Sequence, residues 1–185
     1  MPDERPIVKY INVASLLLAL WLAGCATTPP EVASYVDPMT GLRTDLITDN
    51  LLGEQPRDML WLNASRVFTS ESGYVYYLEV NYAVGPETGY LEIDPGESLV
   101  ILADNKDMKF KGNGSAGLRT KKSGVLRENA IYPVQAGQLR ALAAAGHVTV
   151  RVIGKNGLIQ RDFSQQNSQR FQEFVSKFVP APAAK

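Results

Sequence analysis

Apolar side chains at every second position dominate the middle of the chain and predict β-strands. Along residues 74–84 they alternate with Glu79 and Asn81, so one face carries Tyr74, Tyr76, Leu78, Val80, Tyr82 and Val84. A second strand is predicted over residues 59–68, with Leu60, Leu62, Ala64 and Phe68 on one side. We expect the alternate tyrosines to be core residues. Tyr77 falls on the opposite face, where its ring and hydroxyl suit contact with a partner.

Turn signals divide the next part of the chain into further strands. Residues 94–97 (Asp-Pro-Gly-Glu) place proline and glycine where a type II turn needs them. This turn separates residues 90–93 from the apolar run 98–103. Residues 104–105 (Asp-Asn) then turn the chain into an alternating stretch over 106–111. The pattern predicts consecutive antiparallel strands.

Two more turns are predicted nearer the chain ends. Residues 156–157 (Asn-Gly) suit a two-residue hairpin loop, because both central positions must accept positive φ. The flanking strands are predicted at 147–153 and 158–163. Near the other end, a turn at 37–41 leads into a first strand that ends at Leu46.

Two helices complete the predicted fold. Residues 135–145 are rich in good helix formers, and Gly146 follows where a left-handed cap is expected. Ser164 is the predicted N-cap of the second helix. Its helically spaced apolar residues are Phe171, Phe174, Val175 and Phe178, and we expect them to pack on the sheet. The predicted class is α+β: a mostly antiparallel, sandwich-like sheet with two helices, the C-terminal one packed on the sheet.

Charge and residue counts exclude several kinds of function. The chain has 19 basic and 19 acidic residues, which gives no electrostatic basis for binding nucleic acid. Cys25 is the only cysteine and His147 the only histidine, so disulfides, cysteine clusters and multi-histidine metal sites are excluded. We expect no cofactor and no bound metal. His147 has no recognisable serine partner, and a surface or cap role is expected for it.

A glycine-rich segment matches a nucleotide-binding motif only in the spacing of its glycines. Residues 112–117 (Gly-Asn-Gly-Ser-Ala-Gly) satisfy G-x-G-x-x-G, but no predicted helix starts there to meet a pyrophosphate. We therefore expect a flexible loop. The adjacent Arg119, Lys121 and Lys122 make it basic enough for a weak anion or lipid-headgroup contact. Together with Tyr77 they form the candidate partner surface.

The beginning of the chain has the features of a secretion signal. The strongly apolar part of residues 11–23 is about 10 residues long, whereas a membrane-spanning helix needs about 20. Directly after it, Leu22-Ala23-Gly24-Cys25 resembles the lipobox of bacterial lipoproteins. The resemblance implies cleavage between Gly24 and Cys25, diacylglycerol on the Cys25 sulfur and acylation of the new amino group. By the same family pattern, the residue after Cys25 is not the aspartate of inner-membrane retention, which implies an outer-membrane protein facing the periplasm.

These observations divide the chain into four parts. Residues 1–24 are predicted to be a signal peptide, 25–34 a lipidated flexible tether, 35–179 one globular α+β domain, and 180–185 a disordered tail. The domain loosely resembles small proteobacterial lipoproteins with a strand-rich body and a C-terminal helix, and the resemblance carries no functional residues across.

Two hypotheses for function follow from this organisation. The first is a non-enzymatic interaction or assembly factor, held at the membrane by its lipid and bound to an envelope protein. It rests on a tethered, neutral domain without a recognisable nucleophile–base pair. The alternative is a binding module for a small or lipidic ligand held between sheet and helix.

Replacing Cys25 with Ser should abolish lipid attachment, because serine lacks the thiol that the lipobox modifies. In cells fed radiolabelled palmitate, we expect the variant to remain unlabelled and to leave the membrane fraction, since stable anchoring requires at least two acyl chains. An Ala26→Ser variant, which retains the thiol, should behave as wild type. Unchanged membrane fractionation of Cys25→Ser would contradict the prediction.

Overall fold

The computed structural model describes residues 32–55 and 58–181. Gly24, Cys25 and the rest of the predicted lipobox, most of the predicted tether and the last four residues of the tail lie outside these ranges. In chain order, the elements are β1 (Val32–Val36), β2 (Arg43–Ile47), β3 (Leu51–Gln55), β4 (Asp58–Thr69), β5 (Gly73–Val84), β6 (Gly96–Ala103), β7 (Lys106–Gly112), β8 (Arg119–Lys122), β9 (Val125–Val134), α1 (Ala136–Ala144), β10 (Val148–Gly154), β11 (Gly157–Asp162) and α2 (Gln165–Phe178).

The strands form two antiparallel sheets. Sheet A has the order β1-β2-β4-β5-β9-β8, and β3 pairs with the same edge of β4 as β2 does. Sheet B has the order β11-β10-β6-β7. The inner faces meet in one hydrophobic core, to which sheet A contributes Leu62 and Val80 and sheet B contributes Ile101 and Val150. The predicted class, a mostly antiparallel β fold with two helices, is confirmed.

The β4–β5 hairpin confirms the two alternating stretches. Its twelve residue pairs run without a shift from Asp58 opposite Val84 to Thr69 opposite Gly73. The alternating positions point inward and are buried along most of the hairpin. Tyr74 and Phe68 are the exceptions, because they lie at the turn end, beyond the core. The prediction that Tyr74 is a core residue was therefore wrong.

Both predicted helices are present, and one of their predicted caps is wrong. Ser164 caps α2 through a reciprocal pair with Asn167, whose amide also donates to Asn50 Oδ1 and Leu51 O at 2.9 Å. This buried amide pair ties the start of α2 to sheet A. At the end of α1, the capping residue is Ala145 in extended conformation, and Gly146 is not left-handed. The carboxylate of Asp104 accepts hydrogen bonds from the backbone N–H groups of Gly146 and His147 and holds the chain after the helix.

The turns agree with prediction at two places and differ at a third. Gly96 has φ +90°, as a type II turn requires, and Asp104 and Asn105 both have positive φ. In the β10–β11 hairpin, Gly154 pairs with Gly157, so the two loop residues are 155–156 rather than 156–157. Gly157 provides the positive φ from within the strand.

The first strand begins inside the predicted tether. β1 starts at Val32 and pairs with β2 throughout, whereas we expected tether up to Ser34. The hydroxyl of Ser34 donates to Asp45 on β2, so a polar residue typical of linkers serves the sheet edge here. Within the described ranges, neither helix has the length and apolar character needed to cross a bilayer.

The glycine-rich segment is a docked loop, not the flexible one expected. Gly114 has φ +71° and packs so closely on the backbone of Ile93 that a Cβ there would lie 2.7 Å from its oxygen. Ser115 is buried, and its hydroxyl donates to Glu128 at 2.5 Å. The segment leads from β7 directly into β8.

Glu128 is a fully buried carboxylate that holds two segments on sheet A. It accepts hydrogen bonds from the backbone N–H groups of Glu92 and Ile93 at 3.0 and 3.1 Å, in addition to Ser115. Arg119 lies 3.6 Å from it and compensates its charge. A buried carboxylate with this many donors organises the loops around it, because each donor would otherwise be unpaired.

Replacing Glu128 with Ala should lower the free energy of unfolding by about 3–5 kcal/mol, because it leaves the buried donors and the Arg119 charge without their acceptor. Urea denaturation followed by circular dichroism measures the change. The matched control is Glu97→Ala, which removes an exposed glutamate 3.6–4.0 Å from two lysines and should change stability by less than about 0.5 kcal/mol. Equal stability changes in the two variants would contradict the role assigned to Glu128.

Candidate functional site

Exposed apolar side chains gather at one end of sheet A. Nine large hydrophobic residues are exposed in the described part of the chain, and six of them lie at this end. We call these six the apolar tip: Tyr35, Val36, Met39, Leu42, Phe68 and Tyr74. Met39 is 93% exposed. The strand register places Tyr35 on the outer face and Phe68 and Tyr74 on the inner face, so the six residues surround this end of the sheet. Exposed apolar residues grouped in one region mark interaction sites more than residues scattered singly do.

The apolar tip forms because two hairpins turn at the same end of the sheet. The β1–β2 and β4–β5 hairpins lie side by side, with Thr44 of β2 opposite Val67 of β4. In the β1–β2 turn, the Asp37 carboxylate accepts the N–H groups of Met39 and Thr40 at 2.8 and 3.0 Å. These hydrogen bonds hold the Asp37 pKa below its ordinary value. The turn therefore presents Met39 in a defined position.

A stack of rings supports the apolar tip from inside. Phe68 and Tyr74 meet edge to face, with ring centroids 5.3 Å apart. The Arg66 guanidinium lies 3.9 Å from the Tyr74 centroid and 4.6 Å from that of Phe178, the last residue of α2. Phe178 in turn lies 5.5 Å from Phe174 in the core. The exposed aromatics are thus the outer end of a packed series, which limits the conformational freedom they would lose on binding.

Arg66 is fixed by hydrogen bonds at both ends of its guanidinium. Its Nε donates to the buried Asp45 at 2.7 Å, and its Nη1 donates to the carbonyl of Phe178 at 2.6 Å. A cation is favourable at the carbonyl end of a helix. Burial raises the pKa of Asp45, but hydrogen bonds from Ser34, Arg66 and Arg43 outweigh this and place the pKa below its ordinary value. Asp45 therefore stays ionised and anchors the ring stack at neutral pH.

The charged residues beside the apolar tip are not predominantly basic. Asp37 and Glu71 are the acids of the two turns, and Arg43 is the neighbouring base. Arg43 lies 3.2 Å from Asp45 and shares that carboxylate with Arg66. The side chains around the tip therefore give it no positive field of the kind that attracts anionic lipid headgroups.

Tyr77 lies near the apolar tip, on the outer face of sheet A. Its opposite neighbours are Ser65 on β4 and Pro133 on β9, and Tyr77 itself is half-buried. Helix α2 packs against the other face, where it meets Arg66 and Tyr76. The predicted orientation of Tyr77, away from the core, agrees with the strand register.

The three basic residues of the candidate partner surface are remote from Tyr77. They lie on β8, whose Lys122 pairs with Val125, eight residues along β9 from the Tyr77 partner. At 3.4 Å per residue this separation is about 27 Å for Lys122 and about 17 Å for Arg119, which pairs with Glu128. Lys121 and Lys122 are exposed on the sheet edge. The structure therefore does not bring the four predicted residues into one surface.

Arg119 performs a structural task instead. It lies 3.7 Å from Glu92 and 3.6 Å from Glu128, and its Nε donates to Ser115 at 3.1 Å. Its guanidinium also lies 5.7 Å from the Tyr90 ring. Through these contacts Arg119 holds the loop over Glu128, so we do not place Arg119 in a binding surface.

The other candidate chemical groups are separate from the apolar tip. His147 is exposed after α1, and its ring nitrogen lies 3.5 Å from the Thr149 hydroxyl. Asp104 accepts backbone N–H groups of Gly146 and His147, which lower its pKa. Among the described residues, no group of three or more His, Cys, Asp or Glu side chains is placed to hold a metal ion.

The sequence pattern did not reveal the apolar tip, because its residues fall partly in predicted core strands and partly at a predicted turn. Phe68 and Tyr74 continue the inward alternation, so they were assigned to a core-facing side. Met39 lies in the turn predicted at residues 37–41, and Leu42 directly follows it at the start of the predicted first strand. No local pattern marks the end of the core, because Phe68 and Tyr74 leave it only where β5 extends past its last pair with β9, Tyr76 with Val134.

Comparison with known proteins gives no assignment. No family model, no curated protein and no solved structure matches this chain.

Protonation of Asp45 should weaken the support of the apolar tip. Because the folded-state pKa is lowered, the stabilisation is present above the unfolded-state value of 3.8 and is lost as the pH falls through the folded-state value. The stability gap between wild type and Asp45→Asn should therefore be largest at pH 6, at about 2 kcal/mol, and narrow below about pH 4. Urea denaturation across this range measures the gap. A gap independent of pH would contradict the role of the Asp45 charge.

Proposed function

We propose that the protein is a lipid-anchored envelope lipoprotein, a non-enzymatic interaction or assembly factor that binds a protein partner through the apolar tip. The observation that carries the proposal is the grouping of six exposed apolar residues at the joint turn end of two hairpins. Three are aliphatic or thioether side chains and three are aromatic. Interfaces are enriched in aromatic residues and methionine, and aromatic anchors often dominate their binding energy.

The rigidity of the apolar tip supports this proposal. The ring stack through Arg66 holds Tyr74 and Phe68 in place, and the Asp37 turn positions Met39. Ordered side chains lose less freedom on binding, so more of the contact energy is available for affinity. Tyr77 and the half-buried Val75 lie on the outer face of the sheet, which they share with Tyr35, whereas Phe68 and Tyr74 lie on the inner face.

The direction of β1 supports a partner beyond the anchoring membrane. Lipid on Cys25 would leave residues 26–31 as the link to Val32, six residues that span at most about 20–22 Å. From Val32, β1 runs toward the apolar tip over a further distance of about 14 Å. The link enters at the opposite end of β1, which favours an orientation with the tip turned away from the bilayer.

Two observations favour a protein over the alternative ligands. The acids Asp37 and Glu71 at the turns do not suit an anionic lipid surface. Between the sheets and α2 the space for a small ligand is occupied, since Phe171 and Phe174 of α2 have no exposed surface and pack in the core. We therefore propose a protein partner.

Site-specific photo-crosslinking in intact cells tests the proposal. A benzophenone amino acid at position 39 should give a discrete adduct with an envelope protein, because Met39 is the most exposed residue of the tip. Position 158 is the control, since Leu158 is 60% exposed in the β10–β11 hairpin. The protein captured at position 39 is identified by mass spectrometry and purified for binding.

With that purified partner, the double variant Met39→Ser, Leu42→Ser should weaken binding at least tenfold, whereas Leu158→Ser should change it less than twofold. The tenfold loss corresponds to about 1.4 kcal/mol, a modest part of the transfer free energy of two apolar side chains. Equal binding of the variants would overturn the proposal. A second result would also overturn it: no protein adduct forms at position 39, and the wild type binds phosphatidylethanolamine–phosphatidylglycerol vesicles whereas the double variant does not.

A further inference from the structure

A groove runs along the first half of β7, the edge strand of sheet B. Residues 106–109 form one wall. The other wall belongs to α1 and its N-cap, with Gln135, Gly137, Gln138 and Ala141. The groove has a volume of about 390 Å³. Its length follows from four strand residues and is about 13 Å, which is the length of a four-residue extended segment.

The strand wall offers free backbone hydrogen-bonding groups. Asp104 and Asn105, with φ +46° and +67°, form a two-residue loop of the primed type, so Ala103 and Lys106 are the hydrogen-bonded pair that closes it. Hydrogen-bonded pairs alternate along an antiparallel ladder. The N–H and C=O groups of Asp107 and Lys109 therefore point away from β6 and into the groove. Within the described ranges, β7 pairs with no strand other than β6.

The helix wall leaves room for an extended chain. Gly137 and Ala141 are exposed and lie one turn apart on α1, so they present little side-chain volume toward the strand. The Gln138 side chain is folded back, with its oxygen accepting the N–H of Gln135 at 2.8 Å. An edge strand facing a helix across an open groove is the arrangement in which a peptide can add as another strand.

The charges of the groove select the chemistry of its occupant. Lys106 and Lys109 are exposed on the strand wall, and Lys109 lies 4.0 Å from Glu97, a distance that leaves it weakly neutralised. Asp107 is the acid on this wall. The first turn of α1 contains no acidic residue, so the positive end of its dipole is not neutralised within the helix. The surroundings of the groove therefore favour a negatively charged segment.

We infer that the β7–α1 groove binds an extended, acidic peptide segment, which adds to sheet B as a fifth strand beside β7. The N–H and C=O groups of Asp107 and Lys109 provide up to four backbone hydrogen bonds, and the lysines bind carboxylates of the segment. This surface is distinct from the apolar tip, so the inference and the proposed function can fail independently.

The probe for this inference is a fluorescein-labelled hexapeptide of alternating Glu and Val, blocked at both ends. Full-length protein in detergent micelles should raise its fluorescence anisotropy, and benzophenone at position 141 should crosslink to it. Benzophenone at position 158 is the control and should not. A hexapeptide of alternating Lys and Val should bind at least fivefold more weakly, because Lys106 and Lys109 of the strand wall would repel it.

Two changes test the backbone pairing itself. Lys109→Pro removes an N–H that points away from β6, so the ladder within sheet B is kept while the bond to the peptide is lost. We expect at least a tenfold weaker affinity, against less than threefold for Lys109→Gln, which keeps the N–H. If the proline variant fails to fold, the Glu-Val peptide methylated on alternate backbone nitrogens decides with the wild-type protein. Two such peptides are possible, methylated on one or the other alternate set of nitrogens. The one whose methyl groups face β7 should bind at least tenfold more weakly.

The inference is overturned if the Glu-Val peptide produces no anisotropy change. It is equally overturned if a folded Lys109→Pro protein binds the Glu-Val peptide as tightly as the wild type does. The same holds if both methylated peptides bind the wild-type protein as tightly as the unmethylated peptide. Equal binding of the Lys-Val peptide would overturn the acidic specificity.

Discussion

The pairing of β4 with β5 is the constraint on which the rest of this structure depends. Twelve residue pairs in unbroken register make it the longest pairing among the described strands. Since a one-residue slip would turn the inward side chains of one strand outward relative to the other, this register decides which side chains form the core. At its turn end it also extends past β9, whose last pair with β5 joins Val134 and Tyr76, so that Phe68 and Tyr74 lie outside the core and in the apolar tip.

Buried charged and polar groups then determine how the remaining segments attach to this hairpin. Asp45 fixes Arg66, and Arg66 holds the end of α2. The amide pair of Asn50 and Asn167 holds its beginning. Toward the opposite edge of sheet A, Glu128 holds two loops through the hydrogen bonds that it accepts from them. Each of these groups is costly to bury alone, so each specifies the arrangement of the partners that satisfy it.

The two proposed surfaces use different parts of the same architecture. The apolar tip depends on side chains, whose positions are set by the ring stack below them. The β7–α1 groove depends on backbone groups that an edge strand leaves without a neighbour. A surface of the first kind selects a partner by shape and apolar area, and one of the second kind accepts an extended segment with few demands on its side chains. One small domain can therefore hold a folded partner and an extended one at separate places.

The sequence by itself determined the class of the fold, because period-2 alternation, turn residues and helical spacing are local properties. It identified the alternating faces of β4 and β5, the turns at Gly96 and Asp104, and Ser164 as the cap of α2. It also led to the lipoprotein prediction at Cys25, which lies outside the described residues. Only the tertiary structure decided which of the alternating apolar residues are buried, since burial depends on how far each strand extends past its neighbours. It separated Tyr77 from Lys121 and Lys122 and gave Arg119 to Glu128. These relations join residues distant in sequence, and no local pattern records which of them come together.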